Sequence, residues 1–127
     1  MAITQIRVQS PSNEVLFTDT TMGNAVDSVK GSSTLVYSVT VDNSANGGSA
    51  TYVKLFNLAA GSVNLGTSSP DEVIFVPAGA VVTVTYFTGA NPGKTFGTAL
   101  SAAAVTTGGT AGTVSPASSV IVTINYV

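Results

Sequence analysis

Residues 89–95 have the composition of a phosphate-binding loop, because they follow a predicted strand and end in Gly-Lys-Thr. A P-loop also requires a glycine five residues before Gly93, where Thr88 stands. It further requires a helix after Lys94, whose N-terminal amides would bind the phosphate. Neither requirement is met in the sequence, which predicts an ordinary loop between strands here.

Residues 42–47 read Asp-Asn-Ser-Ala-Asn-Gly and match the first half of a calcium-binding loop, with Gly47 at the sharp turn. The second half of such a loop is missing. Val53 stands six residues beyond Gly47, where a bidentate glutamate would be needed. The segment is interpreted as a turn after a strand, and a cation site near Asp42 is the alternative.

Asp71 and Glu72 are a carboxylate pair, as glycoside hydrolysis requires, but they are adjacent in sequence. Neighbouring residues on a strand point to opposite faces, so this pair cannot flank one bond. Serine and threonine are abundant, yet the chain has no histidine to act as their base and no Gly-x-Ser-x-Gly elbow. We therefore predict no catalytic, cofactor-binding or metal-binding residues, and no enzyme.

Five aromatic side chains could together form a stacking platform for a sugar or for single-stranded nucleic acid: Tyr52, Phe56, Tyr86, Phe87 and Phe96. Core packing or subunit contact is the alternative interpretation, and the absence of tryptophan favours it. Tyr52, Lys54 and Phe56 alternate with Val53 and Leu55. If Val53 and Leu55 point inward, the other three form an outward candidate interface.

The composition excludes several classes of protein. The chain has 127 residues and no cysteine, so disulfides, thiolate nucleophiles and zinc–thiolate sites are excluded. Only 8% of the residues are charged and the mean hydropathy is +0.43. Such a chain either covers itself with small polar residues or buries surface against partners. Its four basic residues form no stripe and its net charge is −2, which argues against nucleic acid and membrane partners.

The chain is long enough for a single domain over residues 1–127, of which residues 1–33 are a possible N-terminal arm that crosses to a partner. The N-terminus lacks the basic and apolar regions of a secretory signal. No apolar run reaches the length of a membrane-spanning helix. We expect a soluble protein that is made in a cytoplasm.

Period-two alternation predicts most of the secondary structure. It predicts strands at residues 34–42, 51–58, 72–76, 81–87, 100–106 and 119–127. Shorter segments at 3–8, 14–17 and 95–96 are also compatible with strands. Residues 72–76 and 81–87 are interpreted as a hairpin around Ala78-Gly79, and residues 19–33 mostly as loop. The alanine-rich stretch 99–105 is predicted as a strand, because it is too short to nucleate a helix alone.

About eight short antiparallel strands with turns every 8 to 12 residues predict an all-β fold, a β-sandwich of jelly-roll or related Greek-key type. Within this pattern, a series of motifs resembles small virion proteins of tailed bacteriophages and cyanophages. They are Tyr-Val-Lys-Leu-Phe at 52–56, Ile-Phe-Val-Pro-Ala-Gly at 74–79, Phe-Gly-Thr-Ala-Leu-Ser at 96–101 and Val-Thr-Ile-Asn-Tyr at 122–126.

The resemblance implies a capsid decoration (cement) protein that binds the outer capsid lattice and stabilises the shell. It also implies the major capsid protein as partner, a homotrimer as the favoured oligomer, the capsid surface of the virion as location, and no cofactor. A tail, neck or fibre module that binds a host glycan or receptor is the alternative function, and an enzyme is the third.

Overall fold

A computed structural model describes residues 13–127, and within them the chain forms nine strands and one short 3-10 helix, Ala60–Ser62. The strands are β1 (Val15–Met22), β2 (Asp27–Lys30), β3 (Thr34–Asp42), β4 (Thr51–Phe56), β5 (Glu72–Val76), β6 (Val81–Thr85), β7 (Lys94–Phe96), β8 (Leu100–Val105) and β9 (Val120–Tyr126).

The strands build two antiparallel sheets. The first sheet has the order β1-β9-β3-β6, with β7 on the same side of β3 as β6, and the second has the order β2-β8-β4-β5. The pairs are nested along the chain: β1 pairs with β9, β2 with β8, β3 with β6 and β7, and β4 with β5. A long antiparallel hairpin wound into two facing sheets has this order, so the predicted β-sandwich is confirmed and its strand order is that of a jelly roll.

The core lies between the sheets and follows from strict alternation. In β3, Val39 and Val41 are completely buried, and in β9 Val122 and Ile124 are as well. The residues between them face outward on the first sheet. A slip of one residue in either strand would move its apolar side chains to the outer face, which fixes the register.

The second sheet is buried on both faces at its centre. Every residue of β8 is buried, although only Leu100, Ala102 and Ala104 belong to the inter-sheet core. The small side chains that alternate with them, such as Ala103, lie on the outer face under a further layer of chain. This explains how an alanine-rich segment forms a strand, as predicted: sheet neighbours on both sides outweigh its helix propensity.

Two sequence expectations are corrected here. Residues 72–76 and 81–85 do not pair as a hairpin, because β5 lies in the second sheet and β6 in the first. The turn between them was placed correctly: the Ala80 amide donates to the Pro77 carbonyl at 3.1 Å, and Gly79 takes a φ of 70°. Such a turn reverses the chain equally well between two sheets, so local sequence could not tell the two apart.

Residues 19–33 are not mainly loop, because they complete β1 and form β2. A bulge after Asp19 and a second irregularity after Ser28 break the alternation that would have revealed these strands. The part of the possible arm from residue 15 to residue 30 therefore belongs to the sheets of the sandwich. The strand predicted at 3–8 lies outside the described residues.

Asn43 holds the loop between β3 and β4 in place. Its amide nitrogen donates to the carbonyls of Ser49 and Pro77, both at 3.1 Å. Its amide oxygen accepts from the Thr51 hydroxyl at 2.8 Å and from the Asn46 amide at 3.0 Å. Asn43 is completely buried, so removal of the side chain leaves four polar partners without it.

We expect Asn43→Ala to lower the free energy of unfolding by about 2–4 kcal/mol, because buried groups that lose their partner cost about 1–3 kcal/mol each and some will find water. Asn64→Ala is the matched control, since Asn64 is exposed and its side-chain amide has no hydrogen-bond partner among residues 13–127. It should change stability by less than about 0.5 kcal/mol. Urea unfolding followed by circular dichroism measures both, and equal losses would contradict the role of Asn43.

Candidate functional site

The candidate interface Tyr52, Lys54 and Phe56 does lie on the outer face of the second sheet, since Val53 and Leu55 belong to the core. It is not an exposed patch. Lys54 and Phe56 are completely buried and Tyr52 is partly buried. The expectation that Lys54 and Phe56 contact a partner is therefore wrong for this chain, because its own loops already cover them.

Two loops form this cover. The loop between β8 and β9, residues 106–119, is called the covering loop below. Gly108 of this loop packs on the ring of Tyr52 so closely that a Cβ there would lie 2.8 Å from the Tyr52 Cε1. The loop between β4 and β5 lies against it, with Gly66 next to Thr113. The second sheet thus carries a third layer that the strand pattern did not predict.

The Lys54 ammonium group fastens the covering loop. Its Nζ donates to the Gly112 carbonyl at 2.8 Å and to the Thr110 carbonyl at 3.3 Å. Burial lowers the pKa of Lys54, since the charged form loses hydration that two carbonyls replace only in part. The aliphatic stem of the lysine meanwhile fills the space between the sheet and the loop. The residue acts as a structural clamp.

The stacking platform, the less favoured of the two interpretations of the five aromatic side chains, does not form, because Phe56 and Phe96 are completely buried. A different pair is present on the outer face of the second sheet. Phe75 on β5 lies directly opposite Tyr52 on β4, with ring centroids 5.2 Å apart and planes tilted by 49°. Phe75 is 52% exposed. The pair is the exposed aromatic contact that the sequence pattern failed to identify.

The side chains of residues 42–47, the calcium-like segment, form hydrogen bonds with other groups of the protein. The Asp42 carboxylate accepts from the Ser44 amide at 2.9 Å, and the Ser44 hydroxyl and amide hold the pKa of Asp42 below its usual value. The side-chain oxygens of both asparagines already accept hydrogen bonds: that of Asn43 from Asn46 and Thr51, and that of Asn46 from the Ser118 amide of the covering loop. These contacts support the interpretation as a turn.

The remaining motif residues also stabilise loops. Residues 89–95 form a loop into β7 in which the Asn91 side chain accepts from the Gly93 amide at 3.0 Å. Asp71 accepts from the Asn57 amide at 2.7 Å. Glu72 has a different partner from Asp71: its carboxylate lies 3.8 Å from the Lys94 ammonium. This ion pair links β5 of one sheet to β7 of the other.

A carboxyl pair that the sequence analysis missed lies between β1 and β2. Burial and the neighbouring Asp19 carboxylate raise the pKa of Asp27 to about 7. Asp19 shows the opposite effect: a hydrogen bond from Asp27 and two from Thr21 lower its pKa. The two residues are eight positions apart across a bulged connection, so spacing alone gave no signal of their contact.

The outer face of the first sheet carries a row of threonines in register across four strands. Thr18 on β1 is opposite Thr123 on β9, which is opposite Thr40 on β3, which is opposite Thr83 on β6. The Thr40 and Thr83 hydroxyls are 3.0 Å apart and those of Thr18 and Thr123 are 3.5 Å apart. We call this surface the threonine face. Three of these threonines lie in predicted strands, whereas Thr18 lies just beyond the predicted segment 14–17, and nothing in the sequence indicated their alignment.

Apolar side chains border the threonine face. Leu16 is 66% exposed, Val81 58% and Ile121 39%. Their alternation with buried neighbours places them on the outer side of β1, β6 and β9. Asp42 is the charged residue of the β3 row on this side. Leu16, Val81 and Ile121 are thus exposed, in contrast to the buried Lys54 and Phe56 on the outer face of the second sheet.

No protein family, curated protein or solved structure was found to match this chain. Residues 13–127 hold no group of three or more histidine, cysteine or acidic side chains that could bind a metal ion. Within the same residues, no helix has the length and hydropathy needed to cross a bilayer. The geometry of the site is therefore the basis for a functional proposal.

We expect Lys54→Ala to destabilise the protein by about 3–5 kcal/mol, since it opens a cavity and removes the donor of one buried and one partly buried carbonyl. Lys30→Ala is the control, because Lys30 is only partly buried on β2. It should cost less than about 0.5 kcal/mol. Hydrogen exchange should become faster in the covering loop of the Lys54 variant. An unchanged covering loop would contradict the clamp.

We expect the pH dependence of stability to report Asp27. Between about pH 4 and pH 7 the unfolded chain loses this proton while the folded chain keeps it, so the free energy of unfolding falls as pH rises. Asp27→Asn should remove this fall. Asp42→Asn should leave this pH dependence unchanged, because the pKa of Asp42 is lowered and its titration affects stability only below about pH 4. A carboxyl titration by carbon NMR would refute the assignment if Asp27 titrated near 4.

Proposed function

We propose that this chain is a structural virion protein, a capsid decoration protein that binds the outer lattice of the shell through the threonine face and stabilises it. The partner in this proposal is the major capsid protein, together with further copies of this chain. The observation that carries the proposal is a nearly uncharged outer sheet face bordered by the exposed side chains of Leu16, Val81 and Ile121.

Most of the few charges in residues 13–127 are used inside the molecule. Lys54 is buried under the covering loop, Lys94 pairs with Glu72, and Asp19 lies against Asp27. Further acidic side chains accept from backbone amides, as Asp71 and Asp42 do, or from a side-chain amide, as Glu14 does from Asn125. The surface is therefore left with little charge to keep separate copies apart, which favours packing against neighbours.

Threonine hydroxyls and short apolar side chains suit a contact of this kind. A hydroxyl can both donate and accept, so the row can satisfy polar groups of a partner with little desolvation cost. A contact through one face of four short strands need not be strong by itself. Repetition of such contacts around a shell would raise the overall affinity without any further chemistry.

The motif order described above supports the same proposal, since it resembles virion proteins of tailed phages over much of the chain. The jelly-roll strand order is compatible with it but does not select it, because this fold occurs in lectins and other protein classes as well. The choice of partner therefore depends on the surface chemistry and on the motif resemblance.

We expect Thr40→Lys to lower occupancy on shells at least about tenfold, because an unpaired charge buried in a contact costs more than the 1.4 kcal/mol that equals a factor of ten. Thr67→Lys is the control, since Thr67 is exposed in the loop between β4 and β5, away from the threonine face. Quantitative mass spectrometry of shells lacking the chain, after incubation with each variant, measures copies per major capsid protein.

Hundreds of wild-type copies per shell would support the proposal. A handful of copies would point to the neck or tail and contradict a decoration role. Equal loss with Thr67→Lys would show that the threonine face is not the contact.

A further inference from the structure

We propose that β1 of one copy pairs antiparallel with β1 of a second copy, so that the first sheet continues across a two-fold axis. The occupant of the β1 edge in this proposal is a second copy of this chain. The inference concerns the isolated protein and does not depend on shell binding.

The β1 edge is long and regular. β1 forms one edge of the first sheet, and among residues 13–127 its outer side has no strand partner. It spans eight residues, and its first five, Val15 to Asp19, pair with β9 in unbroken register. This regular stretch of five residues presents backbone donors and acceptors to a matching strand, and a bulge follows it.

The other edges of the two sheets are less suited to pairing. β2 has only four residues, with Asp27 and Lys30 at its ends and an irregular register. β5 begins at Glu72, which is held by an ion pair, and Pro77 follows it directly. Charges, short length and proline are the features by which sheet edges are usually protected.

β6, on the other edge of the first sheet, contains no charged residue, but it is shorter and less apolar than β1. It has five residues, Val81–Thr85, with one large exposed apolar side chain, Val81. β1 has two such side chains in succession, Val15 at 48% exposure and Leu16 at 66%. An exposed apolar pair on a sheet edge favours burial against a partner strand, so β1 is the stronger candidate and β6 provides the control.

The charge pattern of β1 fits pairing with itself. Pairing over all five regular residues places the two-fold axis at Phe17, the middle one. Leu16 then lies opposite Thr18 of the second copy, and Asp19 lies opposite Val15. No residue of like charge is opposed, whereas directly opposed like charges are unfavourable. The threonine face would also extend from four strands to eight.

The pairing predicts a dimer, not the trimer that the phage resemblance implies. Sedimentation or light scattering over a range of concentrations should show a reversible increase from one chain mass to two. The double variant Leu16→Lys/Thr18→Lys should raise the dissociation constant at least about tenfold, because two pairs of lysines then face each other. Val81→Lys, on the other edge of the same sheet, should leave the constant unchanged.

A disulfide test covers the case in which the charged variant fails to fold. The chain contains no cysteine, so single cysteines can be placed without competition. With oxidised glutathione as the oxidant, a mixture of Leu16→Cys and Thr18→Cys proteins should form a cross-linked heterodimer, since opposite residues lie within disulfide reach. A mixture of Val81→Cys and Thr18→Cys should remain uncross-linked.

Three results would overturn the proposal: one chain mass at all concentrations, a trimer, or an equal effect of Val81→Lys. A fourth is a monomer that becomes a dimer only when residues 1–12 are deleted, because the edge would then be taken by the chain's own N-terminal residues. None of these results depends on shell binding, so this proposal and the decoration role are tested separately.

Discussion

The register of β3 between β9 and β6 is the constraint on which the rest of the structure depends. One side of β3 supplies Val39 and Val41 to the core, and the other supplies Thr40 to the threonine face. A shift of one residue would expose the valines and bury the hydroxyls at once. The buried side chain of Asn43, at the end of β3, then fixes the chain as it crosses to the second sheet.

Much of the fold could be predicted from alternation, because the apolar residues alternate in β5, in β9 and in β3 from Ser38 onward, although a register shift between Val36 and Ser38 interrupts β3. Where the alternation is broken by bulges, as in β1 and β2, the prediction failed. The candidate functional site was harder to predict than the fold. The alternation placed Lys54 on the correct face of β4, but only the tertiary path of the covering loop determines that this face is buried. Likewise, no local signal aligns threonines from four separate strands.

Scarcity of charge links the interior of the molecule to its surface. The chain uses a lysine as an internal clamp and joins its two sheets through Glu72 and Lys94, so ionic groups mainly serve folding. The exterior is consequently built from hydroxyls and short apolar side chains. Such a surface discriminates partners by shape and hydrogen bonding more than by long-range attraction, and contacts of this type should depend little on salt.

The nested strand pairing has a consequence for attachment. Val15 at the start of β1 lies opposite Tyr126 at the end of β9. The start of β1 and the end of β9 therefore lie at the same corner of the sandwich. A bulky group joined to one of them would crowd the other, whereas the turn at Pro77–Ala80 belongs to a different connection and offers a separate point for an insertion.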